Sequence, residues 1–127
     1  MNKLRTSKLV YSGAELQLEF YQSPEGSVPA EEWLADQKLK VQQKFAALFA
    51  WIGDHGRIFN ERKFKHLTGS DLIFEFKVDE GRMLCFFFVG GRLVLTHGFV
   101  KKSDKTPKCE IERAESIKAD FISREKK

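Results

Sequence analysis

The stretch RLVLTHGFVKKSDKTP, residues 92 to 107, carries an apolar strand pattern from Leu93 to Leu95 through His97 and Phe99 straight into Lys101, Lys102 and Lys105, with Pro107 behind them. Ammonium groups gathered at a strand end neutralise anions, and clustered cations displace the counterions condensed on a nucleic acid. A strand end that lies in water is the alternative reading of the same residues. Lys65 and His66 form a second basic pair ahead of the sheet, and a histidine, with a reference pKa near neutrality, can give or take a proton. The charge distribution sharpens the question: residues 1–56 carry a net −1 and residues 57–127 a net +5, within a total of +4. A polyanionic partner and a merely solvated basic surface both fit that asymmetry. Cys85 and Cys109 have neither metal-ligand spacing nor a C-x-x-C arrangement; both are expected to be buried thiols without chemistry, and no metal or cofactor is expected.

These side chains need elements to hold them. In AELQLEFYQ, Leu16, Leu18 and Phe20 alternate with polar residues, which predicts a half-buried strand near Glu15 to Tyr21. SPEGSVP supplies a turn, and Pro29 fits the first position of a helix. Leu34, Val41, Phe45, Leu48 and Ile52 recur at helical spacing, predicting one long amphipathic helix from Ala30 to between Gly53 and Gly56. RIFNERKFKHLTGSD, without strong periodicity, reads as a short helix or loop. LIFEFKV, RMLCFFFV and RLVLTHGFV follow as three strands, joined by DEG as a three-residue loop and by Gly90-Gly91 as a two-residue turn.

With that register, Phe88 pairs Leu93, Phe86 pairs Leu95 and Leu84 pairs His97, and all join Phe74 and Phe76 on one core face. His97 then sits on an apolar face as a structural histidine, a reading that reverses if the strand is bulged. The opposite face, with Glu75, Lys77, Met83, Cys85 and Phe87, is expected to stay partly open. Thr106 is read as the cap and Pro107 as the start of a last helix, whose Ile111, Ala114, Ile117 and Phe121 form a narrow stripe before the chain frays in REKK. The length and the 42% hydrophobic content suit one domain, residues 1–127, with a core closed without disulfide or metal. No run of about 18 apolar residues is present to cross a membrane, and the N-terminus lacks the apolar segment of a signal peptide, so the cytoplasm is the expected compartment.

Four local motifs now line up in order: Lys65-His66-Leu67-Thr68-Gly69, Glu75-Phe76-Lys77, Gly81-Arg82, and His97-Gly98-Phe99-Val100-Lys101-Lys102 with Lys105-Thr106-Pro107. Together they resemble the RelE/HigB superfamily of toxins from bacterial toxin–antitoxin modules, in particular its phage-derived HigB-like branch. The resemblance is strong over the last half of the chain and architectural over the first. It implies an α+β fold: a small antiparallel sheet of about four strands packed against a long N-terminal helix region and a C-terminal helix. It also implies a ribosome-dependent messenger RNA endoribonuclease in which a 2′-hydroxyl attacks the adjacent phosphate without a metal.

The same resemblance distributes roles. Arg82 matches the turn arginine and is expected to clamp the scissile phosphate with its two-pronged guanidinium. Lys77 stands where the family pattern has arginine, keeping the charge and losing the fork; it contacts phosphate or acts as a general base with a depressed pKa. Lys102 is expected to reach the phosphate, and Lys65, His66, Lys101 and Lys105 to bind RNA. The chain has no tyrosine or histidine after Lys102, so proton donor and base stay unassigned. His55 reads as a helix-terminal cation. The resemblance implies as partners the ribosome, messenger RNA and a cognate helix-turn-helix DNA-binding antitoxin. A ParE-like inhibitor of DNA gyrase and an inactive phage-derived module that binds RNA or an antitoxin remain the alternatives.

Overall fold

A computed structural model describes residues 5–102 and 105–126. Its strands are β1 (Ser7–Ser12), β2 (Gln17–Tyr21), β3 (Phe64–His66), β4 (Phe74–Val78), β5 (Gly81–Phe88) and β6 (Arg92–Val100). Its helices are α1 (Pro29–Ala35), α2 (Leu39–His55) and α3 (Lys108–Glu125). The class is α+β as expected, but the sheet has six strands in the order β1-β2-β6-β5-β4-β3 and is mixed, because β2 runs parallel to β6. The two strands beyond the expected four are β1, an edge strand with no clean alternation of burial, and β3, three residues long within the segment read as helix or loop.

The expected single N-terminal helix is two. Pro29 does open α1, but the chain breaks at Asp36 to Lys38, where Lys38 is extended at φ −60°, ψ 148°. Polar side chains take up carbonyls freed by the break: Gln37 donates to Trp33, and Gln42 to Ala35 and Gln37. The gap from Leu34 to Val41 is two helical turns, so the stripe alone does not reveal the interruption. α2 ends as expected, with Gly56 left-handed at φ 82° and its N–H on the Ile52 carbonyl.

Both hairpins differ from the reading by one residue, and the consequences reach the site. Val78 pairs with Gly81, so the first turn holds only Asp79 and Glu80, with Asp79 at φ 52°. Gly81 lies inside β5, where a Cβ would come within 3.0 Å of Trp33; the glycine serves packing rather than the turn. At the second hairpin Phe88 pairs with Arg92, leaving Val89, Gly90 and Gly91 as a three-residue loop with both glycines at positive φ. The register is therefore one residue from that expected until Cys85 pairs Leu95 and Leu84 pairs His97, where Thr96 is the extra residue of a bulge.

The bulge splits the expected single core face. Leu93, Leu95, Cys85, Met83, Phe74 and Phe76 pack under α1 and α2 with Phe45, Phe49 and Ile52. Leu84, Phe86, Phe88, Val94 and Phe99 pack under α3 with Ala114 and Phe121. Met83 and Cys85, expected on a partly open face, are buried. Helices thus cover both faces of the sheet, α3 by packing on β5 and β6. Within REKK, Arg124 and Glu125 are helical rather than frayed, and Lys127 lies outside the described residues: Arg124 pairs with Asp120 at 2.8 Å, and Glu125 with Arg92 at 2.8 Å. Arg92 also grips Glu19 through two 2.7 Å bonds, clamping β2, β6 and α3 together. Thr106 does not cap α3; Pro107 occupies the cap position, without a side-chain cap bond.

Candidate functional site

Cross-strand pairing assembles the site on the α3 side of the sheet, at the β3–β4–β5 end. Lys65 pairs with Glu75, Lys77 with Arg82, and Arg82 with Phe99. Paired residues share a face, so Lys65, Lys77 and Arg82 stand together around the Glu75 carboxylate. Lys101 follows β6 by one residue and is fixed by its N–H on the Glu80 carbonyl at 2.8 Å. Burial depresses the Lys77 pKa, the charge of Lys65 lowers it further, Glu75 opposes the shift, and Arg82 and Lys101 add to it. Four cations gather here because the short Asp79-Glu80 turn sets Lys77 directly across from Arg82, while β3 and β6 bring the other two from either side.

Glu75 is the hub of this group. Its side chain is 0% exposed. One carboxylate oxygen accepts the Thr106 hydroxyl; the other lies 3.8 Å from Arg82 Nε, close enough for ionic attraction and too far for a hydrogen bond. The guanidinium is steadied through Nη1, which donates to the Asp79 carbonyl at 2.7 Å and the Gly81 carbonyl at 3.0 Å. Thr106, read from the sequence as a helix cap, thus ties the segment before α3 to the floor of the cation cluster. A cleft of about 400 Å³ separates β3 from the start of α3, lined by Lys65, Leu67, Thr68, Lys105, Thr106 and Ile111.

Of the residues singled out in the sequence, the fold brings together Lys65, Lys77, Arg82 and Lys101, and sets Lys105 across the cleft from Lys65. Lys102 is exposed beyond the end of β6, and the charge felt at Lys77 from that segment is that of Lys101. His66 alternates to the other face, with its ring 5.2 Å from that of Phe74. The strand is bulged at Thr96, yet His97 stays buried, because the bulge turns it to the side that α3 covers: Nδ1 lies 3.1 Å from the Thr96 hydroxyl and Nε2 3.0 Å from Glu110. Burial, then the nearby Arg113, pull its pKa down to about 4, against the attraction of Glu110. His55 packs against Trp51, with ring centroids 4.1 Å apart and the planes tilted by 40°. Cys85 is buried and its thiol pKa is raised, first by burial and then by Glu75, whereas Cys109 is exposed, contrary to expectation. Nothing in the sequence marks Glu75 as buried; its position opposite Lys65 depends on a three-residue strand that carries no periodic signal.

The sequence model of the family described as phage-derived protein Gp49-like (DUF891) matches residues 32–119. The chain belongs to that family. The Gp49-like family is related to the toxins of toxin–antitoxin systems, and the matched span of this Gp49-like chain contains the whole cation cluster, Glu75 and Thr106. No curated protein matches the chain. Among the described residues, no group of three or more His, Cys, Asp or Glu could hold a metal ion, and no helix is long and apolar enough to cross a membrane.

Proposed function

We propose that this Gp49-like protein is the toxin of a toxin–antitoxin module and cuts messenger RNA on the ribosome. The observation that carries the reading is the convergence of Lys65, Lys77, Arg82 and Lys101 on the end of one sheet face, around a buried carboxylate 3.8 Å from Arg82. Such an array suits a phosphodiester passing through a phosphorane. The substrate 2′-hydroxyl loses its proton and its oxygen bonds to phosphorus; the bond to the 5′-oxygen breaks, and that oxygen leaves with a proton. The products are a 2′,3′-cyclic phosphate and a 5′-hydroxyl. Arg82 and Lys101 supply positive charge to the phosphorane oxygens. Lys77, whose ammonium is destabilised by burial and by the neighbouring cations, serves as the proton-transfer group. Lys65, Lys102 and Lys105 hold the flanking RNA.

A cognate antitoxin, a helix-turn-helix DNA-binding protein, completes the module in the cytoplasm. Purified protein added to a translating extract is expected to cut translated message within codons and to leave the same RNA intact without ribosomes. Intact message together with stalled DNA supercoiling would overturn this reading in favour of a gyrase inhibitor.

A further inference from the structure

The segment RIFNERKFK, residues 57–65, holds four cations and one acid, and only its last residue belongs to the cation cluster. The remainder builds a groove with α2. One part, about 450 Å³, is lined by Ala47, Leu48, Trp51, Ile58, Phe59, Asn60 and Lys63. A second part, about 610 Å³, shares Ala47, Leu48, Asn60 and Lys63 and continues past Lys44 and Arg62 to Lys77. The groove lies on the α2 side of the sheet and therefore runs from an aromatic end to β4 at Lys77, the corner around which the candidate site lies on the α3 side. At the aromatic end Trp51 is 55% exposed and Phe59 83% exposed. Rings left in water at that cost are platforms rather than core, and Arg57 lies over the Phe59 ring at 5.2 Å. The acid on the wall, Asp79, is answered by Lys44 at 3.4 Å, so Lys63, Arg62 and Lys77 set the sign of the charge.

We propose that this groove is a subsite for single-stranded RNA: bases stack on Phe59 and Trp51 while Lys63 and Arg62 hold the phosphates that lead to Lys77. Aromatic faces interleaved with cations along a track are the arrangement that binds single strands with little sequence preference. The inference rests on the proposed function for its direction, since it extends the RNA path away from the cation cluster. An acidic amphipathic peptide is the competing occupant; continuity with a phosphate-binding cluster favours RNA, because an inhibitor peptide needs no such continuity.

The test uses the intact protein and a 12-nucleotide 2′-O-methyl oligonucleotide, which lacks the attacking hydroxyl. Binding is expected to quench tryptophan fluorescence in the native protein and not in Trp51→Phe. Phe59→Ala is expected to weaken binding by about tenfold, and Lys63→Ala to lower the slope of log affinity against log salt by about one. Equal affinity and equal salt slope in these variants, or quenching by a glutamate-rich amphipathic peptide and not by the oligonucleotide, would overturn the subsite. The two readings fail separately: message cut in the extract with no groove effect on oligonucleotide binding removes the subsite alone. Groove-dependent binding with no message cut by the native protein removes the nuclease and leaves the groove an RNA site.

Discussion

Arg82 and Lys77 face each other across a two-residue turn, and the account assigns them different work. Arg82 is held by two carbonyls of its own turn and by the field of Glu75, so it is positioned before substrate arrives. Arg82→Ala is expected to lower message cutting by on the order of 100-fold or more, the usual cost of losing one contact to developing charge, with native circular dichroism but a lowered melting temperature, because the buried Glu75 loses its charge partner. Lys77→Ala is expected to lower cutting as far, and Lys77→Arg to keep binding but lose rate, because a guanidinium does not deprotonate near neutrality. His97 belongs to stability instead. Its folded pKa of about 4 lies below the usual 6.5, so the unfolded chain binds the proton more readily. Stability is complete above about pH 6.5 and falls as the pH drops toward 4, by on the order of 3 kcal/mol. Glu19, Asp120 and Glu125, whose pKa values are lowered, begin to lose their contributions at the acid end of this window, as the pH falls through their ordinary carboxylate range, and lose them fully below it. Denaturant titrations across this range are expected to show that slope in the native protein and a flattened one in His97→Gln.

At the scale of elements, the three C-terminal strands, the strand before Pro29 and the last helix were legible in the sequence, because alternation and stripe each had enough residues to show. β1 and β3 were not: one lies exposed at the edge, the other is three residues long. The hairpin register was misread because Gly90-Gly91 suits a two-residue turn, whereas Val89 joins the loop and the Thr96 bulge returns the lost residue. That compensation explains why Leu84 still pairs His97 and why the cation positions could be read from motifs although the faces could not. Glycines hold the α1 layer against the strands. A Cβ at Gly98 would lie 2.2 Å from Trp33 Cε3, so Gly98→Ala is expected to cost about 3 kcal/mol by overpacking. Denaturant midpoints would measure it, and a loss under about 1 kcal/mol would mean that α1 shifts freely over β6.

Across the whole molecule, the positive excess divides into two uses. Arg92, Arg124 and Lys118 are paired with acids that fasten α3, while Lys65, Lys77, Arg82 and Lys101 crowd together at the sheet end. Net charge alone could not have separated the two, since both groups lie in the same half of the chain. The four-cation cluster is what the proposed chemistry requires, and an RNA end is the record that chemistry leaves. The most direct measurement is therefore end-group mapping of message recovered from a translating extract treated with native protein or with Arg82→Ala. The account predicts new 5′-hydroxyl ends within codons, matched upstream by 2′,3′-cyclic phosphates, and their loss in Arg82→Ala. New 5′-phosphate ends, or 5′-hydroxyl ends undiminished in Arg82→Ala, would contradict it.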